Sequence, residues 1–105
     1  MALAPREVDQ ALAGTPGWRR VGKTLVRELA MRDFEEALCL VERIGRLAVD
    51  YERRPDLCIT EFNRVRLKIF NLHHAGLTQA ELRLAARTSA VIDAPAAAEV
   101  VAGPA

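Results

Sequence analysis

The sequence predicts an α+β fold, a four-stranded antiparallel sheet with helices packed on one face, in the order α-β-β-α-β-β-α. Three observations carry that expectation. From Arg64 to Leu72, the charged residues Arg64, Arg66 and Lys68 alternate with Val65, Leu67 and Ile69, the period of a strand with one wet and one buried face. Phe34, Ala37, Leu38, Val41, Gly45 and Ala48 recur at helical spacing, and Leu40, Ile44, Leu47 and Tyr51 widen the stripe. Gly22-Lys23 separates two short β-prone runs, with glycine at the first turn position as a type II′ hairpin requires.

Taken in order, residues 5–13 form a short helix with Pro5 in the permitted first turn, and the run from Gly14 to Trp18 breaks it. Trp18 to Val21 and Thr24 to Met31 are the first two strands, the second placing Leu25, Leu29 and Met31 on one face with Arg27 at its margin. Asp33 and Glu36 have capping-box spacing and open the long helix, which finishes by about Glu52 because Pro55 disfavours helical dihedrals at Arg54. So broad an apolar face calls for a sheet on one side and a further helix on the other. The remaining strands are expected at Leu57–Phe62 and Arg64–Leu72. Thr78 and Glu81 form a second capping box, and Leu77 with Leu82 a hydrophobic staple. The last helix runs from Gln79 to about Ile92 and buries Leu82, Ala85, Ala86 and Ala90 or Val91. Residues 1–92 are thus expected to form one domain, and the Ala/Pro-rich stretch 93–105, which lacks a stripe, a mobile tail.

Composition narrows the function classes. In 105 residues, 15 Lys and Arg against 14 Asp and Glu leave a net charge of +1, without the basic excess of a general polyanion binder. No apolar run approaches the length of a membrane span, and the N-terminal stretch, charged at Arg6, does not read as a signal peptide. Cys39 and Cys58 are isolated and read as reduced thiols in a cytoplasmic protein, with neither metal nor disulfide implied, and no cofactor is expected.

Several segments carry a family resemblance: Gly17-Trp18, RDFEEAL at 32–38, RRPDL at 53–57, FNRVRLKI at 62–69 and AGLTQAELRLAA at 75–86. Over residues 17–88 the chain resembles the pterin-4a-carbinolamine dehydratases, small α+β proteins that dehydrate a hydroxylated pterin and whose relatives also bind other proteins. The resemblance implies where the chemistry would stand. The family has a His-His-Pro run at the end of the long helix, a third His closing the fourth strand, and an Asp in the first turn of the last helix. Those positions here hold Arg53, Arg54 and Pro55, then Leu72, then Glu81. Dehydration needs one proton delivered to a leaving hydroxyl and another removed from a ring nitrogen, tasks suited to imidazole. Arginine stays protonated at physiological pH, and Leu72 offers no proton. The expectation is a dehydratase fold with no catalytic residues, a degenerate pocket formed by Arg53, Arg54, Pro55, Leu72, His73 and Glu81. The alternative is a weak or altered dehydratase in which a one-residue bulge swings His73 into the place of the missing histidine.

The same substitutions fit the degenerate branch of the family that resembles the assembly factors of α-carboxysomes, chaperones of RuBisCO. That resemblance implies a RuBisCO large-subunit partner, contacts through Arg53 and Arg54, association with carboxysomes in the cytoplasm, and a homodimer or higher oligomer. Arg53 and Arg54 have a plainer reading as solvent-exposed charges. The row Arg64, Arg66 and Lys68 is read as the solvated side of a half-buried strand, offset by Glu28 and Glu61, rather than as a nucleic-acid surface.

Overall fold

The computed structural model describes residues 2–51, 53, 55–71 and 76–93. The chain runs α1 (Pro5–Leu12), β1 (Arg19–Val21), β2 (Thr24–Ala30), α2 (Phe34–Asp50), β3 (Asp56–Thr60), β4 (Arg64–Ile69) and α3 (Gln79–Asp93), the expected order. The strands form one antiparallel sheet in the spatial order β1-β2-β4-β3. The most regularly alternating strand, β4, therefore lies inside the sheet, and Val65, Leu67 and Ile69 are each at most 2% exposed. They meet Leu25 of β2, Ala37, Leu40 and Ile44 of α2, and Leu84 and Ala85 of α3 in one core. Val8 and Leu12 of α1 and the indole of Trp18 close its end.

The hairpin between β1 and β2 pairs Val21 with Thr24 around Gly22-Lys23, and Gly22 takes φ +62°, as expected of its turn. The other hairpin has a longer connection than the sequence suggests. β3 stops at Thr60 rather than Phe62, because Glu61, Phe62 and Asn63 make the turn into β4. Glu61 and Phe62 both occupy the left-handed region, at φ 50° and 59°. Asn63 holds this turn against the end of β2: its Nδ2 donates to the Met31 carbonyl at 2.8 Å, and its carbonyl accepts from the Met31 N–H at 2.8 Å. β4 likewise ends at Ile69, three residues short of the expected Leu72.

Both long helices bury a different line from the one expected. In α2 the buried residues are Ala37, Leu40, Ile44 and Ala48, whereas Phe34 and Leu38 are 47% and 51% exposed. The apolar arc is wider than the sheet and α3 together can cover, so one flank remains in solvent. In α3 the buried residues are Glu81, Leu84, Ala85 and Thr88, while Leu82 and Val91 are half-buried and Ala86 and Ala90 exposed. Two members of that line are polar, so a stripe drawn through apolar residues alone falls a fraction of a turn away.

The caps also differ in detail. Asp33 Oδ1 accepts from the Glu36 N–H at 2.8 Å, but Glu36 reaches past Asp33 to the Arg32 N–H at 2.6 Å. On the sheet's other face, Glu28 stands opposite Arg66 and accepts from it at 3.0 Å and from Arg19 at 3.3 Å. Within the basic row Arg66 is thus paired with Glu28, as expected of a solvated strand face, whereas no bond from Glu61 to the row is present among the described residues. Among the described residues no helix is long and apolar enough to cross a membrane. α3 continues to Asp93, one residue past the expected domain end, and residues 94–105 lie outside the described residues.

Candidate functional site

The site is built where α2 ends and α3 begins. Tyr51 caps α2, its N–H donating to the Leu47 and Ala48 carbonyls, and the Arg53 N–H closes the exit on the Ala48 carbonyl at 3.0 Å. That main-chain bond holds Arg53 beside the first turn of α3. Pro55, half-buried, leads directly into β3. From the other side β4 delivers Asn71 two residues beyond its last paired position.

Glu81 lies at the centre, with no solvent exposure. Its Oε1 accepts from the Thr78 N–H and the Thr78 hydroxyl, both at 2.6 Å. Its Oε2 accepts from Arg53 Nε and from Asn71 Nδ2, both at 3.0 Å. The second capping box is therefore present with one change. The Thr78 hydroxyl donates to Glu81 and accepts from the Ala80 N–H at 3.3 Å instead of from the N–H of Glu81. Burial by itself would raise the Glu81 pKa, but the Thr78 hydroxyl and N–H, followed by Arg53 and Asn71, outweigh it and hold the carboxyl below its ordinary value. Glu81 is an ionised acceptor at neutral pH, and its four donors satisfy both oxygens.

This arrangement suits anchoring better than proton transfer. A general base near neutrality needs a pKa raised toward the working pH, whereas Glu81 is shifted the other way. Arg53, 35% exposed along its side chain, contributes a permanent charge fixed at its Nε end by a buried carboxylate. Of the residues singled out from sequence, Arg53 and Glu81 are brought into direct contact, with Pro55 adjacent; Arg54, Leu72 and His73 lie outside the described residues. Asn71 was missed. An uncharged polar residue just past an alternating strand gives no periodic signal, and only the fold brings it within reach of Glu81. No group of three or more His, Cys, Asp and Glu side chains able to hold a metal is present among the described residues.

With this geometry in view, comparison with known proteins identifies the family. The model of the pterin 4 alpha carbinolamine dehydratase family matches residues 1–91. The chain belongs to the pterin-4a-carbinolamine dehydratase family. A relative from Thermomicrobium roseum, provisionally named a pterin-4-alpha-carbinolamine dehydratase, is 36% identical over 78 residues, which span 74% of this chain and 83% of the relative. Another from Metallosphaera sedula, named the same way, is 32% identical over 83 residues, 79% of this chain and 85% of the relative. Two solved structures share the fold. One is a transcriptional coactivator/pterin dehydratase from Brucella melitensis (TM-score 0.79, 22% identity, 87% of this chain and 98% of that one). The other is a pterin dehydratase-like protein identified as a RuBisCO assembly factor in the alpha-carboxysome (TM-score 0.63, 20% identity, 75% and 93%).

Proposed function

We propose that this chain is a non-catalytic member of its family that acts as an assembly factor for RuBisCO, engaging the large subunit through a surface that includes Arg53 and Arg54. The observation that carries this reading is the ion pair of Arg53 with buried, ionised Glu81. Where the family resemblance puts a proton-exchanging histidine, a group that cannot exchange a proton is held in a fixed orientation. Arginine anchored in this way is well suited to a protein interface, because its fork can engage carboxylates while part of the ordering cost has already been met within the fold. The likeness to the carboxysomal assembly factor supports the reading at the level of fold. We further propose that the chain works as a homodimer at least. The support is the exposed apolar flank of α2, Phe34 and Leu38, together with the outer edge of β3, which pairs with no further strand among the described residues.

A second reading, a dehydratase, is favoured by the names of the relatives above 30% identity. One pair of measurements separates the two. Calorimetry with RuBisCO should show binding by the native chain and a loss of about 2 kcal/mol or more for Arg53→Ala/Arg54→Ala, with circular dichroism unchanged. A stopped-flow assay should show no carbinolamine dehydration above background. Enzyme-like turnover would establish the dehydratase, and absence of RuBisCO binding by the native chain would remove RuBisCO as client.

A further inference from the structure

A second charged site lies away from Glu81. Arg27 of β2 lines a cleft of about 350 Å³ between the loop that follows α1 and the far half of α3, together with Thr15, Pro16, Ser89 and Asp93. Ser89 is eight positions beyond Glu81, which places this cleft about 12 Å along the helix from the first site.

The guanidinium of Arg27 is held on two sides. Its Nη1 donates to the Pro16 carbonyl at 3.3 Å and to the Ser89 hydroxyl at 3.1 Å. Gly17, at φ +95°, comes so close that a Cβ there would stand 2.8 Å from Cζ, 2.8 Å from Nε and 3.1 Å from Nη2. A point as near to the central carbon as to the nitrogens lies over the guanidinium plane, not along its edge. Gly17 therefore covers a face and leaves the edge formed by Nε–H and Nη2–H open. Among the described residues neither of these groups has an acceptor, and no carboxylate lies within 4 Å of Arg27.

Elsewhere in the molecule the same edge is filled. Arg20 places its Nε 2.9 Å from Asp9 Oδ1 and its Nη2 3.2 Å from Asp9 Oδ2, the two-pronged match of guanidinium to carboxylate. Arg27 offers this fork pre-oriented, with only neutral partners on its Nη1 and without the carboxylate. We propose that the Nε–Nη2 edge of Arg27 receives a singly charged carboxylate from outside the chain, a small organic acid or the C-terminus of a peptide. Asp93 in the same cleft selects against a doubly charged guest such as phosphate, because it adds like-charge repulsion. This proposal stands independently of the function of the Arg53–Glu81 site.

The site carries its own reporter. Trp18, the chain's one tryptophan, donates its indole N–H to the Ser89 oxygen at 2.9 Å, the same oxygen that Arg27 uses. The test titrates the full chain with sodium acetate against sodium chloride at equal ionic strength, following Trp18 emission and its indole N–H resonance. Acetate should give a saturable change that chloride does not, with phosphate at least several-fold weaker. Arg27→Lys should lower acetate affinity by about tenfold, since an ammonium lacks the planar fork. Asp93→Asn, at the exposed end of α3, should tighten acetate binding several-fold and narrow the difference from phosphate. A peptide with a free C-terminus, compared with its amide, distinguishes the sources: preference for the free form over acetate assigns a peptide end, and parity with acetate a small acid. Equal responses to acetate and chloride, or unchanged acetate affinity in both variants, would overturn the proposal.

Discussion

Arg53 Nε lies 3.0 Å from Oε2 of Glu81, although 28 residues separate the two in the chain and the carboxylate has no contact with solvent. The contact ties the exit of α2 to the entry of α3. It also fixes the Arg53 guanidinium beside a buried, ionised carboxylate.

The first prediction concerns acid stability. The folded-state pKa of Glu81 lies below its ordinary value of 4.5, so the unfolded chain binds this proton more readily than the folded one. The contribution of Glu81 to stability is therefore complete well above pH 4.5 and is lost as pH falls through the lower folded value. Glu81→Gln removes the titration and the charge-assisted bonds, costing about 2 kcal/mol at pH 7. Urea unfolding of both proteins at pH 7 and in the acid range below 4 should show the gap narrowing on acidification. A gap independent of pH would mean that Glu81 is not the linked group.

A second prediction follows from the turn between β3 and β4. Glu61, within this turn, adopts a left-handed conformation that disfavours a side chain with a Cβ. Glycine accepts this conformation freely, so Glu61→Gly should raise stability by about 1 kcal/mol despite the greater freedom it gives the unfolded chain. Thermal unfolding measures the outcome, and a lowered midpoint would place the turn in another conformation in solution.

The third prediction addresses association. Phe34 and Leu38 are 47% and 51% exposed on α2. If they are covered by a second copy, Phe34→Glu/Leu38→Glu should convert a dimer to a monomer in sedimentation while leaving the circular dichroism spectrum intact, because neither residue belongs to the buried line. A native chain that sediments as a monomer at micromolar concentration would refute the proposed assembly.

The sequence by itself determined the class of fold, the order of the elements and the Gly22 hairpin, because these depend on local periodicity and on the backbone freedom of particular residues. It also placed Arg53 and Glu81 at matching positions of one family pattern. It could not rank the faces of α2, since a helix carries a wider apolar arc than any one packing arrangement covers, and only the positions of the sheet and α3 decide that Leu40 is buried while Leu38 is exposed. Nor could it foresee that the buried line of α3 begins with a carboxylate. A glutamate reads as polar wherever it stands, and its burial becomes tolerable only when Thr78, Asn71 and Arg53 converge on it. Those donors come from a cap, a strand end and a helix exit that are separated along the chain, so the tertiary structure alone brings them to one carboxylate and holds it ionised in the interior.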